Sequence, residues 1–278
     1  MFVDSHAHLF KKDYDADLDD VLSRARDAGV DWIVNPGTDL ETSREAIELA
    51  ERYDIIYACV GYHPHEAAKC DGRALEEIEA LSHHEKVVGI GEIGLDYHYD
   101  FSPRDRQREI FALQIDIARR RNLPIVIHSR EAEEDSLGIV ERKLTGESPW
   151  RITADGGGEG AAAPRGVFHC FPGDEEMARK VNAWGFYISI PGPVTFETKP
   201  QKPNLMAEVA AKIPLDQMLL ETDSPYLTPV PFRGKRNEPS RLPIIARRIA
   251  ELKGVSVEEV GRVTSESVRK LFGNRGSR

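Results

Sequence analysis

The sequence predicts an α/β fold, a single-domain (β/α)8 barrel of the TIM type. Three observations point there. Strand-length apolar runs alternate with helical patterns along the chain, about eight such units can be counted, and no Gly-x-Gly-x-x-Gly follows the first run, as it would in an open dinucleotide-binding sheet. The length, 278 residues, is one that α/β barrels reach as a single unit, so residues 1–278 are expected to form one domain.

The first unit opens with Phe2-Val3, followed at once by Asp4-Ser5-His6-Ala7-His8. An acidic stretch over 11–20 leads into Val21-Leu22 and residues 25–28, an amphipathic helical pattern closed by Gly29. Asp31-Trp32-Ile33-Val34 is the next apolar run, ended by Asn35-Pro36-Gly37. The spacing then predicts a helix over 40–53, a strand over 55–60 ending at Gly61-Tyr62-His63-Pro64, a helix near 72–83 and a strand over 87–93. A long helix over about 103–122 precedes Ile125-Val126-Ile127-His128, and another follows over 131–144. Between 145 and 165 the rhythm breaks in a Gly/Ala-rich stretch, read as a flexible surface insertion. It resumes with a strand over 166–171, a helix over 174–184, a strand over 186–190, a short helix over 204–212 and a strand over 218–223. Helices near 242–253 and 256–272 complete the pattern.

Composition narrows the function classes. The 40% apolar and 30% charged residues suit a globular protein. No apolar run reaches the roughly 18 residues of a membrane helix, and Met1 leads straight into strand-like sequence without a basic and apolar leader. A cytoplasmic protein without membrane association is expected. Cys59, Cys70 and Cys170 are odd in number and lack Cys-x-x-Cys spacing, which indicates neither a disulfide framework nor a structural zinc site. The net charge of -10 argues against a broad basic surface that coats nucleic acid. It leaves room for an enzyme that takes one strand end into a local basic pocket.

In an extended strand alternate side chains share a face, so His6 and His8 can present two imidazoles to one point, as a divalent metal requires. Barrel chemistry sits at the carboxyl ends of the strands. There the sequence places His6 and His8 on the first strand, Glu92 on the fourth, His128 on the fifth, His169 on the sixth and Asp223 on the eighth. Each has an ordinary explanation alone: a polar residue in a Gly-rich turn for Glu92, a hydrogen-bonded core imidazole for His128 or His169, a turn-capping carboxylate for Asp223. Six ligand-type residues at five strand ends are not explained that way, and together they predict a metal site. The glycines flanking Glu92 are expected to let something approach its carboxylate closely.

Ser5-His6-Ala7-His8-Leu9, Gly61-Tyr62-His63-Pro64, Gly91-Glu92-Ile93-Gly94-Leu95-Asp96-Tyr97, Pro124-Ile125-Val126-Ile127-His128-Ser129-Arg130, Phe168-His169-Cys170-Phe171 and Leu220-Glu221-Thr222-Asp223-Ser224-Pro225-Tyr226-Leu227 together resemble the TatD-type metal-dependent deoxyribonucleases, a family of the amidohydrolase-like barrels. The resemblance runs nearly end to end with the motifs in the family's order. The Gly/Ala-rich stretch before His169 departs from it. The resemblance implies two divalent ions, one on His6, His8 and Asp223, the other on His128 and His169, with Glu92 bridging both. Mixed imidazole and carboxylate ligands accommodate Zn, Mn or Ni, with Mg-dependent activity also open where fewer imidazoles bind, and do not choose between them.

A two-ion centre suits phosphodiester hydrolysis. The resemblance suggests that Asp223 takes a proton from the attacking water, with Glu92 setting the spacing of the ions, and His63 and Arg130 are candidate contacts to a substrate phosphate. For His63, a structural role before a loop proline fits equally. Arg233 lies in Phe232-Arg233-Gly234-Lys235-Arg236, a basic run in an acidic chain, which reads either as a further phosphate contact or as an ordinary solvated loop. Tyr97, Phe171 and Tyr226 could stack on an unpaired base or serve barrel packing. The expectation is a DNA-hydrolysing enzyme, which the resemblance implies to be a 3′-5′ exonuclease on single-stranded ends, with no obligate protein partner. The alternatives are an amidohydrolase-like hydrolase of a small ester, amide or lactone, and a non-catalytic metal or nucleic-acid-binding protein. The full ligand set argues against the last.

Overall fold

The computed structural model describes residues 1–145, 164–197 and 203–273. Most of the expected insertion, 146–163, therefore lies outside the described residues, as does the end of the chain after 273. Eight strands, β1 (Phe2–Asp4), β2 (Val30–Pro36), β3 (Ile56–Val60), β4 (Val87–Asp96), β5 (Ile125–Arg130), β6 (Gly166–Phe168), β7 (Phe186–Ile190) and β8 (Met218–Leu220), form one sheet in chain order. The pairs β1/β2, β3/β4, β4/β5, β5/β6 and β7/β8 are parallel. Ser5 N–H donates to Leu220 O and Ala7 bridges Ser224, which brings the last strand segment beside the first. The fold is that of a (β/α)8 barrel.

The helices are α1 (Lys11–Tyr14), α2 (Leu18–Asp27), α3 (Leu40–Arg52), α4 (Gly72–Leu81), α5 (Arg104–Arg121), α6 (Glu133–Thr145), α7 (Glu175–Ala183), α8 (Leu205–Lys212), α9 (Leu242–Lys253) and α10 (Val257–Phe272). Asp39, Asp71, Asp174 and Asn204 each accept the backbone N–H three residues on, and so start α3, α4, α7 and α8. All five residues of β3 and all ten of β4 are buried, as strands covered on both faces must be. This is why they read as continuous apolar runs. The expected first helix is broken: α1 is a single turn, and α2 starts only at Leu18.

The chain divides into two compact units. Unit 1 holds Met1–Asn35 and His169–Arg269, and unit 2 holds Pro36–Phe168 and Lys270–Arg278. Unit 1 has a core that includes Val21, Leu22, Ile188, Leu219, Ile245 and Ile249. Unit 2 has one that includes Ile56, Ile78, Ile90, Phe111, Ile115 and Val126. No helix among the described residues is long and apolar enough to cross a membrane. Cys59 and Cys70 are buried, and burial pushes the Cys70 thiol up to about 12.

Candidate metal centre

In unit 1, the backbone of residues 5–9 runs on from β1 with partners on both sides. Ala7 N–H donates to Val34 O, and Leu9 N–H donates to the Asn35 side chain. On the other side His8 N–H donates to Ser224 O and His6 O accepts from Asp223 N–H. The alternation inferred from the sequence therefore holds, and the two imidazoles share a face. Their Nε2 atoms are 3.0 Å apart. Asp223 Oδ1 lies 3.8 Å from His6 Nε2 and 3.7 Å from His8 Nε2.

Donors each about 2 Å from one ion lie roughly 3 to 4 Å from one another. His6, His8 and Asp223 fit that spacing, and two imidazole nitrogens with a carboxylate oxygen form a donor set for a borderline divalent ion. Asp223 is three residues past β8 with φ of 53°, a left-handed conformation uncommon outside glycine. Such backbone costs on the order of 1–3 kcal/mol and concentrates at functional sites.

His169 follows β6 directly, and its ring stacks on His6 with centroids 4.0 Å apart. Its Nδ1 lies 3.7 Å from Glu221 Oε1. Glu221, fully buried, also accepts from Cys170 N–H at 2.7 Å and from Ser189 Oγ at 2.5 Å. Burial would raise its carboxyl, but His169 and Ser189 together hold it below the ordinary value. Asp4 ties the end of β1 to the Asp223 segment, accepting from Thr222 N–H at 2.9 Å and Thr222 Oγ1 at 2.6 Å. Its burial outweighs these bonds and raises its carboxyl to about 7.

Unit 2 holds a second cluster. Glu92 is not at a strand end as expected, because β4 continues to Asp96. His128 Nδ1 lies 2.9 Å from Glu92 Oε1, and His63 Nε2 lies 3.4 Å from the same oxygen. Burial lowers His63 to about 4, against the pull of Glu92, which favours the neutral ring a metal needs. The other nitrogen of His128, Nε2, lies 3.0 Å from Asp96 Oδ2, and His65 Nε2 is 3.1 Å from that oxygen. Burial would raise Asp96, yet bonds with His128, His65 and Tyr99 N–H hold it well below the usual carboxylate range. A carboxylate on the far nitrogen of a ligating histidine fixes its tautomer and orientation.

The glycines around Glu92 serve a purpose other than the one expected. What approaches is β5. A Cβ on Gly91 would lie 2.6 Å from Val126 Cβ, and one on Gly94, whose φ is +142°, would lie 1.9 Å from His128 O. The two glycines let β4 and β5 close tightly enough to hold Glu92 against His128.

The remaining sequence candidates are spread more widely. His63 sits inside the unit 2 cluster. Arg130 ends β5, exposed, with its guanidinium 4.8 Å from the Tyr99 ring centre. Arg233 is exposed in unit 1, 4.2 Å over the Phe196 ring. Of the proposed stacking residues, Phe171 is buried, Tyr97 is half-buried with its hydroxyl on Asp135, and Tyr226 is exposed near His8. The sequence reasoning missed Asp4, His65, Asp96 and Glu221. All but His65 are carboxylates within or next to apolar strands, and the cost of burying an unpaired charge there was the available signal.

Comparison with known proteins places this chain in a family. The family model described as TatD related DNase matches residues 3–273. The chain is 46% identical over 272 residues to the uncharacterized metal-dependent hydrolase YabD of Bacillus subtilis (strain 168), covering 98% of this chain and 99% of the relative. It is 34% identical over 274 residues to the 3'-5' ssDNA/RNA exonuclease TatD of Escherichia coli (strain K12), covering 97% and 98%. The crystal structure of YJJV, a TatD homolog from Escherichia coli K12, superposes with a TM-score of 0.84 at 30% identity, covering 98% of this chain and 97% of that one. With its two imidazole–carboxylate clusters and a match that spans nearly its whole length, this chain belongs to the TatD related DNase family of metal-dependent hydrolases.

Proposed function

We propose that this protein hydrolyses phosphodiester bonds of single-stranded DNA from the 3′ end, using two divalent ions. The observation that carries the reading is the convergence of His6 Nε2 and His8 Nε2 on Asp223 Oδ1, a donor set made for a Lewis-acidic ion. The Escherichia coli relative named a 3'-5' ssDNA/RNA exonuclease supports the choice of substrate and polarity.

In this reading His6, His8 and Asp223 would hold one ion, and His128, His169 and Glu92 would serve as ligands for a second. Bound there, divalent ions supply charge stabilisation for the phosphoryl oxygens and lower the pKa of an attacking water. Asp223 accepts that water's proton at its carboxylate. Asp96 holds the His128 ring in place, and Glu221 does the same for His169. Arg130 and Arg233 meet substrate phosphates.

The test starts with protein stripped by chelator. It is incubated with 3′- and 5′-labelled single-stranded DNA, and separately with small ester, amide and lactone substrates, with Mg²⁺, Mn²⁺ or Zn²⁺ added back. Metal-dependent shortening from the 3′ end is expected. Turnover of a small carbonyl substrate without strand cleavage would overturn the nuclease reading and favour amidohydrolase chemistry.

A further inference from the structure

Unit 2 carries an exposed aromatic surface beside its ligand cluster. Tyr99 and Phe101, in the loop between β4 and α5, are 48% and 67% exposed. Leaving two large rings in water forgoes their burial, so neighbouring exposed rings call for an account. They stack on each other, with centroids 5.2 Å apart and planes 15° from parallel. The Arg130 guanidinium packs on the Tyr99 ring at 4.8 Å. His65 meets both rings edge-on, at 5.5 Å from Tyr99 and 4.8 Å from Phe101.

His65 also links this surface to the candidate centre. Its Nε2 is 3.1 Å from Asp96, Asp96 is 3.0 Å from His128, and His128 is 2.9 Å from Glu92. The acidic neighbours of the rings are paired: Asp100 with Arg104 at 2.7 Å and Glu131 with His98 at 2.6 Å. The charge offered beside the rings is thus the Arg130 guanidinium.

We propose that Tyr99 and Phe101 form a stacking platform for an unpaired nucleobase of the substrate strand, with Arg130 contacting the phosphate next to that base. Every base has a π-face, so an aromatic platform grips a strand without reading its sequence. The guanidinium lies over the Tyr99 ring, so the charge sits within the aromatic cluster itself, and its planar donors suit phosphate recognition. The platform accepts only bases that can be unstacked, which gives a physical reason for single-strand preference. The inference rests on the nuclease reading above.

The test compares the wild-type protein with the Tyr99→Leu/Phe101→Leu double variant, which keeps apolar bulk but removes both rings, and with Tyr99→Trp, which retains a stacking face. Binding of a phosphorothioate-protected single strand carrying 2-aminopurine near its 3′ end is followed by fluorescence with Mg²⁺ present. A matched strand with an abasic residue at that position serves as the control. The double variant should bind about 5- to 150-fold more weakly, the loss that corresponds to a stack worth roughly 1–3 kcal/mol. It should also lose the wild-type preference for base over abasic strand, while Tyr99→Trp keeps both.

If wild-type protein degrades single strands and the double variant binds and discriminates equally well, the platform is overturned and the nuclease reading stands. If wild-type protein neither binds nor cleaves single strands, the nuclease reading fails and the platform with it. A sedimentation shift from dimer to monomer in the double variant, with strand binding unchanged, would assign the rings to a contact between copies instead.

Discussion

Asp96 Oδ2 lies 3.0 Å from His128 Nε2, so the nitrogen this histidine turns toward Glu92 is Nδ1. The carboxylate fixes which nitrogen of the ring faces the cluster. Asp96→Asn keeps a polar partner of the same shape but removes the charge that favours one orientation. Divalent-metal affinity and kcat/KM are expected to fall by roughly 10–100-fold, as for other outer carboxylates of histidine ligands. Metal titration followed by calorimetry checks this, and a melting curve separates it from unfolding.

Glu92 has a larger role if it bridges. Glu92→Gln should lower bound metal per chain, measured by elemental mass spectrometry, and reduce strand cleavage by more than the roughly 100-fold upper figure for an outer residue. Retention of both metal and activity would remove Glu92 from the ligand set.

Gly94 tests how the cluster is built. An alanine there must accept φ near +142° and place its Cβ 1.9 Å from His128 O, so β4 and β5 must separate. Gly94→Ala is expected to destabilise the fold by more than the ~1–3 kcal/mol of an ordinary strained backbone. Chemical denaturation measures the loss, and diminished metal binding should accompany it because His128 moves with its strand.

A pH prediction comes from Glu238, away from the clusters. Burial would raise its carboxyl, but hydrogen bonds from Arg24 and Ser240 hold it below the ordinary value; Arg24 Nη2 lies 2.7 Å from Oε2. A depressed carboxylate stabilises the fold above its unfolded pKa, and that contribution disappears as pH falls through the folded value. Glu238→Gln should therefore be less stable than wild type at pH 7, and the gap should close below about pH 4. Melting temperatures across that range give the comparison.

Much of the fold was legible because buried strands and amphipathic helices leave different periods in the sequence. The strand Phe186–Ile190 and the helix Leu242–Lys253 fall on their expected bounds. Strand ends were harder to read. Val87–Asp96 extends three residues past the expected stop at 93, because Gly94 continues the ladder in a conformation that no apolar pattern encodes. In the site, His6 and His8 could be paired from local geometry alone. Asp96 acts on His128, 32 positions away, and Glu221 on the backbone of Cys170, 51 positions away, and such pairings exist only once the chain has folded. Exposure of Tyr99 and Phe101 is also a tertiary property, and composition cannot separate them from core aromatics.

The bonds between Asp4 and Thr222 span 218 positions of the chain. His6 and His8 are made well before the carboxylate they face, which lies beyond β8. A nascent or truncated chain that stops short of β8 would expose the imidazole pair without Asp223. The unit 1 cluster therefore comes together only when the segment after β8 folds against the one after β1.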